Sequence, residues 1–136
     1  MKVIRYGLCL ILFFAFIACS NELDDKLEGK WQLQQIEANG NIISKVDTVF
    51  YNFQTSLFMY QIYLPGSNSF SNCYGFKTVT ADKQLLLELT PYGVPVDKFL
   101  PRTDWKSKER EFKVDHVNGN SLVLSSDNKQ YVFRKF

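Results

Sequence analysis

"REFKVDHVNGNSLVLSSDNKQYVFRKF", residues 110–136, is built from three short apolar runs, 110–117, 121–126 and 130–136, parted by two polar triplets. In the runs, Val, Leu, Phe and Tyr alternate with polar residues, the period-2 pattern of a half-buried strand. The triplets are Asn118-Gly119-Asn120 and Asp127-Asn128-Lys129. Asn-Gly is the strongest short hairpin signal, because a type I′ turn needs positive φ at both central positions. The stretch therefore predicts two consecutive tight hairpins.

Toward the N-terminus the rhythm recurs about every 8–15 residues. "QLLLELT" (84–90), "SNCYGFKTV" (71–79), "SLFMYQIYL" (56–64), "VDTVFYNFQ" (46–54) and "KWQLQQIEA" (30–38) alternate with "TADK", "PGSNS" and "ANGN". Trp31, Leu33 and Gln35 share one face, as do Val49, Tyr51 and Phe53. The 56–64 run is apolar on both faces, and Gly75 marks a bulge or bend. That makes about eight strands and no convincing amphipathic helix. An antiparallel meander of eight strands can close into a barrel and leave no edge; a β-sandwich is the alternative.

Residues 91–109, "PYGVPVDKFLPRTDWKSKE", break the rhythm. They hold three of the four prolines, and a connection this long is usually functional or has structure of its own. "VDKFL" can make one helical turn with Asp97 near its start. Tyr92, Phe99 and Trp105 are costly to leave in water. The segment is expected to fold over the open end of the barrel and supply these three rings to a ligand site. The competing arrangement lays them over the outer apolar face of 56–64.

The N-terminus carries Lys2 and Arg5, then an apolar or small stretch from Gly7 to Ala18. Its length of about 12 residues suits a signal segment and falls short of the ~20 needed to span a bilayer. "FIACS" (16–20) resembles a bacterial lipobox, with Ala18 before Cys19. The resemblance implies cleavage before Cys19, acylation of its thiol and new amino group, and stable anchoring by two or more chains. Ser20 stands where Asp would imply retention at the inner membrane. Glu22, Asp24 and Asp25 resemble the acidic export signal of Bacteroidetes surface lipoproteins. The expected location is the outer membrane, on its periplasmic or cell-surface face.

Residues 1–18 are thus read as signal peptide, 19–28 as lipidated cysteine and polar tether, and 29–136 as one β-barrel domain. Loss of Lys2 and Arg5 leaves 14 of the 16 basic residues against 14 acidic ones. A neutral mature chain has no basic patch for nucleic acid. Cys9 leaves with the signal and Cys19 carries lipid, so Cys73 has no disulfide partner. Stability must come from packing, and an aromatic content of 15% supplies the residues with the largest apolar payload.

Gly29-Lys30-Trp31 opens the first strand as a G-x-W. With the closing hairpin "VNGNSLVLSSDNKQYVFRKF", it resembles the two ends of lipocalins and other calycins, in particular small lipocalin-like lipoproteins of Bacteroidetes. The fold class implied is an all-β, antiparallel, eight-stranded calycin-type barrel, with Trp31 plugging one end. In calycins a basic residue of the last strand packs over that tryptophan. Alternation puts Tyr131, Phe133 and Lys135 on one face, and Val132, Arg134 and Phe136 on the other. A planar guanidinium stacks on indole better than an ammonium does, which favours Arg134 over Lys135.

The inventory of reactive groups is thin. His116 is the single histidine, with no serine or cysteine tied to it by spacing, and a metal site wants more ligands. Cys73 has no motif around it and reads as a half-buried strand residue. Glu109, Glu111 and Asp115 form a carboxylate pair only loosely. No phosphate loop, dinucleotide fingerprint or zinc spacing occurs. The expectation is a non-enzymatic binding protein without cofactor or metal, attached to the membrane by its lipid. It would take a small apolar or amphipathic ligand in the barrel mouth, or alternatively hold a protein partner with a filled barrel.

Overall fold

The structure, a computed structural model, describes residues 22–80 and 82–136. The expected signal segment 1–18 and Cys19 lie outside them. Nine strands follow in order: β1 (Gly29–Ala38), β2 (Asn41–Lys45), β3 (Val49–Gln54), β4 (Leu57–Leu64), β5 (Ser69–Val79), β6 (Gln84–Gly93), β7 (Glu109–Val117), β8 (Ser121–Ser126) and β9 (Lys129–Lys135). All pair antiparallel, from β3 onward each with its successor, and β9 returns to β1. β2 and β3 take successive stretches of one edge of β1, opposite Gln35–Ala38 and Gly29–Gln32. Nine strands therefore occupy eight places in a closed ring. β2 is the strand that pattern reading passes over, because every residue in it is exposed and it has no one-sided apolar pattern.

Inside the ring, side chains alternate as a pleated strand requires. Tyr51, Phe53, Phe58, Tyr60, Leu85, Leu87, Leu89, Phe112, Leu122, Leu124, Tyr131 and Phe133 are all buried. Each contributes roughly 1.5–3 kcal/mol by leaving water. A bulge between Leu33 and Gln35 shifts the parity of β1, so Ile36 rather than Gln35 lies opposite Tyr131. An inserted residue turns every later side chain to the other face. Gly75 packs where a Cβ would stand 2.0 Å from the Glu88 carbonyl oxygen; only glycine fits there.

Two hairpin turns are type I′ by their backbone, with positive φ at Asn39 and Gly40 and at Asp127 and Asn128. Asn118-Gly119 is not among them. There the Asn118 backbone N–H donates to the Ser121 carbonyl, and the Asn118 side-chain oxygen accepts from the backbone N–H groups of Asn120 and Ser121, both at 2.8 Å. The hairpin forms, but the asparagine side chain sets its turn.

Residues 22–27 are helical and form α1, so the stretch read as a free tether is part of the domain from residue 22. Leu23 and Leu27, four apart, present one apolar face and join the core. The Asp24 carboxylate lies 3.0 Å from the ammonium of Lys77, whose side chain is fully buried. α1 closes the end of the barrel where β1 begins, here called the base. The opposite end, bordered by 64–69, 93–109 and 126–129, is the mouth.

Candidate functional site

Trp31 is wholly buried at the base, and its indole N–H donates to the Leu27 carbonyl at 2.8 Å. The cation over it is Lys135, with Nζ 4.4 Å from the ring centroid. Arg134, expected in that place, points to the opposite face and donates from Nε to the Gln32 side chain at 2.7 Å. The physical reason is parity: Tyr131 and Phe133 face inward, so Lys135 does too, and a guanidinium's better stacking cannot turn a strand over. The Lys135 ammonium also donates to the Glu28 carbonyl.

At the mouth the chain leaves β6 and crosses the opening. α2 (Val96–Phe99) and a 3₁₀ turn (Leu100–Arg102) follow Pro95, as the "VDKFL" reading expects. Phe99 is fully buried and Trp105 is 5% exposed. Phe99 meets Tyr60 edge-on at 5.1 Å. Trp105 lies parallel to Phe58 at 6.1 Å, and its indole N–H donates to the Tyr51 hydroxyl at 3.0 Å. These partners are inward-facing wall residues, so the two rings fill the mouth and do not cover the outer face of β4. Tyr92 does not join them: it is 72% exposed. Between the pairs Cys73–Gly93 and Gly75–Leu89, β6 sets three residues, Thr90, Pro91 and Tyr92, against the single Tyr74 of β5. Pro91 has no N–H for the ladder, and the bulge turns Tyr92 outward.

A polar cluster ties the crossing segment to the wall. Arg110, inward on β7 and buried, donates from Nη1 to Asp104 at 2.9 Å, from Nη2 to the Tyr131 hydroxyl at 2.6 Å, and from Nε to Ser126 at 3.2 Å. Asp127 lies 3.6 Å from Nη2. The Tyr131 hydroxyl donates to the second oxygen of Asp104. Burial, and then the hydrogen bond to Asp104, push the Tyr131 phenol up to about 12. Burial raises Tyr51 and Tyr60 as well. None of these polar residues is singled out by sequence reading. The available signal was Arg110 itself, a charge in register with Phe112 and Val114 on the apolar face of its strand.

The sequence profile of the lipocalin-like domain family matches residues 12–136. The chain belongs to the lipocalin-like domain family. Its fold is similar to that of a lipocalin-like protein from Bacteroides uniformis, at 30% identity and a TM-score of 0.71, covering 82% of this chain and 99% of the other. It is also similar to an uncharacterized protein from Bacteroides eggerthii, at 27% identity and a TM-score of 0.65, covering 81% and 99%. No curated protein matches it. A lipocalin-like barrel is suited to a small ligand, and here a connecting segment crosses and closes the mouth.

The remaining reactive groups are dispersed. His116 is exposed in the β7–β8 hairpin, with Ser121 and Asn118 each 3.1 Å from Nε2. Cys73 is buried and its thiol is raised by that burial. Glu109, Glu111 and Asp115 project outward from β7.

Proposed function

We propose that this lipocalin-like protein is a non-enzymatic binder of a small apolar or amphipathic molecule, held at the outer membrane by acyl chains on Cys19, with its site in the barrel mouth. The observation that carries the reading is the origin of the rings that fill the mouth. Phe99 and Trp105 come from a connecting segment, whereas the walls they touch, Tyr51, Phe58, Tyr60 and Phe112, come from strands. A connection can move without breaking the ring of strands. The placement of His116 and Cys73, one exposed and the other buried with a raised pKa, supports binding over catalysis. Native mass spectrometry of residues 20–136 purified from the producing cell tests the reading. A discrete adduct of small-molecule mass is expected; bare protein that also takes up no apolar compound from a screen would refute it. Lipidation is tested separately, by loss of labelled fatty acid in Cys19→Ala.

A second reading rests on the outer surface. Leu57, Tyr74 and Phe76 on β4 and β5 are about half exposed, and beside them runs a groove of about 570 Å³ lined by Lys30, Asn52, Leu57, Met59 and Tyr74. An apolar face of this kind fits a protein partner. Leu57→Ser with Phe76→Ser would then abolish envelope cross-links and leave ligand binding intact.

A further inference from the structure

The plug is fastened to the barrel by a carboxylate and a flat apolar ring from adjacent residues. We propose that Asp104 and Trp105 occupy the place of a ligand, and that the mouth is built to receive an apolar molecule bearing a carboxylate, which enters as the plug leaves. The proposal rests on the mouth being the binding site, and it assigns the ligand's chemistry.

Three observations support it. The first is the site's polarity. Arg110 has a side chain 6% exposed, yet one of its counter-ions, Asp104, belongs to the connection and is itself 35% exposed. The guanidinium and the Tyr131 hydroxyl both engage that one carboxylate, and a guanidinium's fork matches a carboxylate. With Asp104 withdrawn, a buried cation and a phenol are left facing an opening lined by Tyr51, Phe58, Tyr60 and Phe112. Asp127, at 3.6 Å and 58% exposed, reaches only one side of the guanidinium.

The second observation is the manner of attachment. Val94 donates to the Asn72 carbonyl, and Lys108 accepts from the Leu89 N–H. Between these two residues, the backbone hydrogen bonds of the segment among the described residues are internal, Lys98 and Phe99 to Pro95, Leu100 to Val96 and Thr103 to Leu100. Pro95 and Pro101 have no N–H to offer. The segment grips the wall through the side chains of Phe99, Asp104 and Trp105, so it can be displaced without loss of a ladder bond.

The third is the equivalence of the exchange. A carboxylate with an apolar body re-covers the walls that Trp105 covers and reoccupies the donors that Asp104 satisfies. A neutral apolar molecule does only the first and leaves Arg110 with an unmet donor.

The test titrates dansyl-labelled undecanoic acid, and its methyl ester, into residues 20–136 carrying Trp105→Ala. These residues contain the whole closed ring and its core. Both probes should bind, the acid about tenfold tighter or more, as one charge-assisted hydrogen bond implies. Adding Arg110→Met should erase the acid's advantage and keep the ester's affinity. If folded Trp105→Ala binds neither probe, the mouth is no ligand site and the proposed function fails with it. If it binds acid and ester alike, the mouth takes ligands but the carboxylate assignment is overturned. Should Trp105→Ala not fold, Asp104→Asn keeps both rings and frees Arg110. An acid preference there supports the proposal, and its absence overturns it.

Discussion

Lys135 and Arg134 are neighbours in sequence with opposite duties. The first lies over Trp31 and donates to the Glu28 carbonyl; the second reaches the buried side chain of Gln32 on the opposite face of the sheet. Lys135→Ala should therefore destabilise by about 1–2 kcal/mol, and Arg134→Ala by about 0.5 kcal/mol or less, as measured by urea unfolding. Trp31→Ala, which empties a fully buried site, should cost roughly 3–5 kcal/mol in the same assay. The tyrosines make a different forecast. Folding raises the phenol of Tyr131 to about 12 from an ordinary 10.0, with Tyr51 and Tyr60 raised too. Below the ordinary value both folded and unfolded chains keep the proton. Above it the unfolded chain releases protons that the folded chain retains, so stability is full below about pH 10 and falls as pH rises toward the folded values. Alkaline melts should track this decline, and the tyrosinate absorbance of Tyr51, Tyr60 and Tyr131 should lag until the protein unfolds. The position of Trp31 at the start of β1 was legible in G-x-W. Which cation covered it was not, because only the inward parity of β9 decides that, and alternation alone leaves either face free to be inside.

At the level of elements, the strands were legible where one face is buried. β7, β8 and β9 alternate cleanly because one side meets the core. β2 and α1 were not, for opposite reasons. β2 buries nothing and has no pattern, whereas α1 is too short for a helical period to show, and its acidic residues resemble an export signal. What fixes α1 is a contact distant in sequence, Asp24 to the buried ammonium of Lys77. Asp24→Ala strands that cation, and since Asp24 is partly open to water the loss should be about 2 kcal/mol, below the ~3–5 of a fully buried pair. Lys77→Met in the same chain should recover most of it, which a double-mutant cycle in urea would measure. The 91–109 segment was legible as an aromatic, proline-rich crossing, and its single helical turn could be read from "VDKFL". The fate of Tyr92 could not, because a strand bulge around Pro91 is invisible until the β5 register is known.

Over the whole molecule, the ring of strands and the plug should differ in how readily they open. Wall amides are held by ladders on both sides, whereas those of residues 96–107 bond only within the crossing. Native-state hydrogen exchange should find the crossing opening well below the global unfolding free energy, and β8 and β9 opening at it. Refolding should be slow for a chain of this size, in the millisecond-to-second range, because the ring is joined through contacts far apart in sequence. That joint is the pairing of β9 with β1, and it has a bearing on how the protein is made. In a chain made N-terminus first, β1 precedes every other strand and its partner β9 follows them all. Until β9 is available, the sheet has two bare borders and cannot lock. A product cut short before β9 would therefore leave sticky borders on an unclosed sheet.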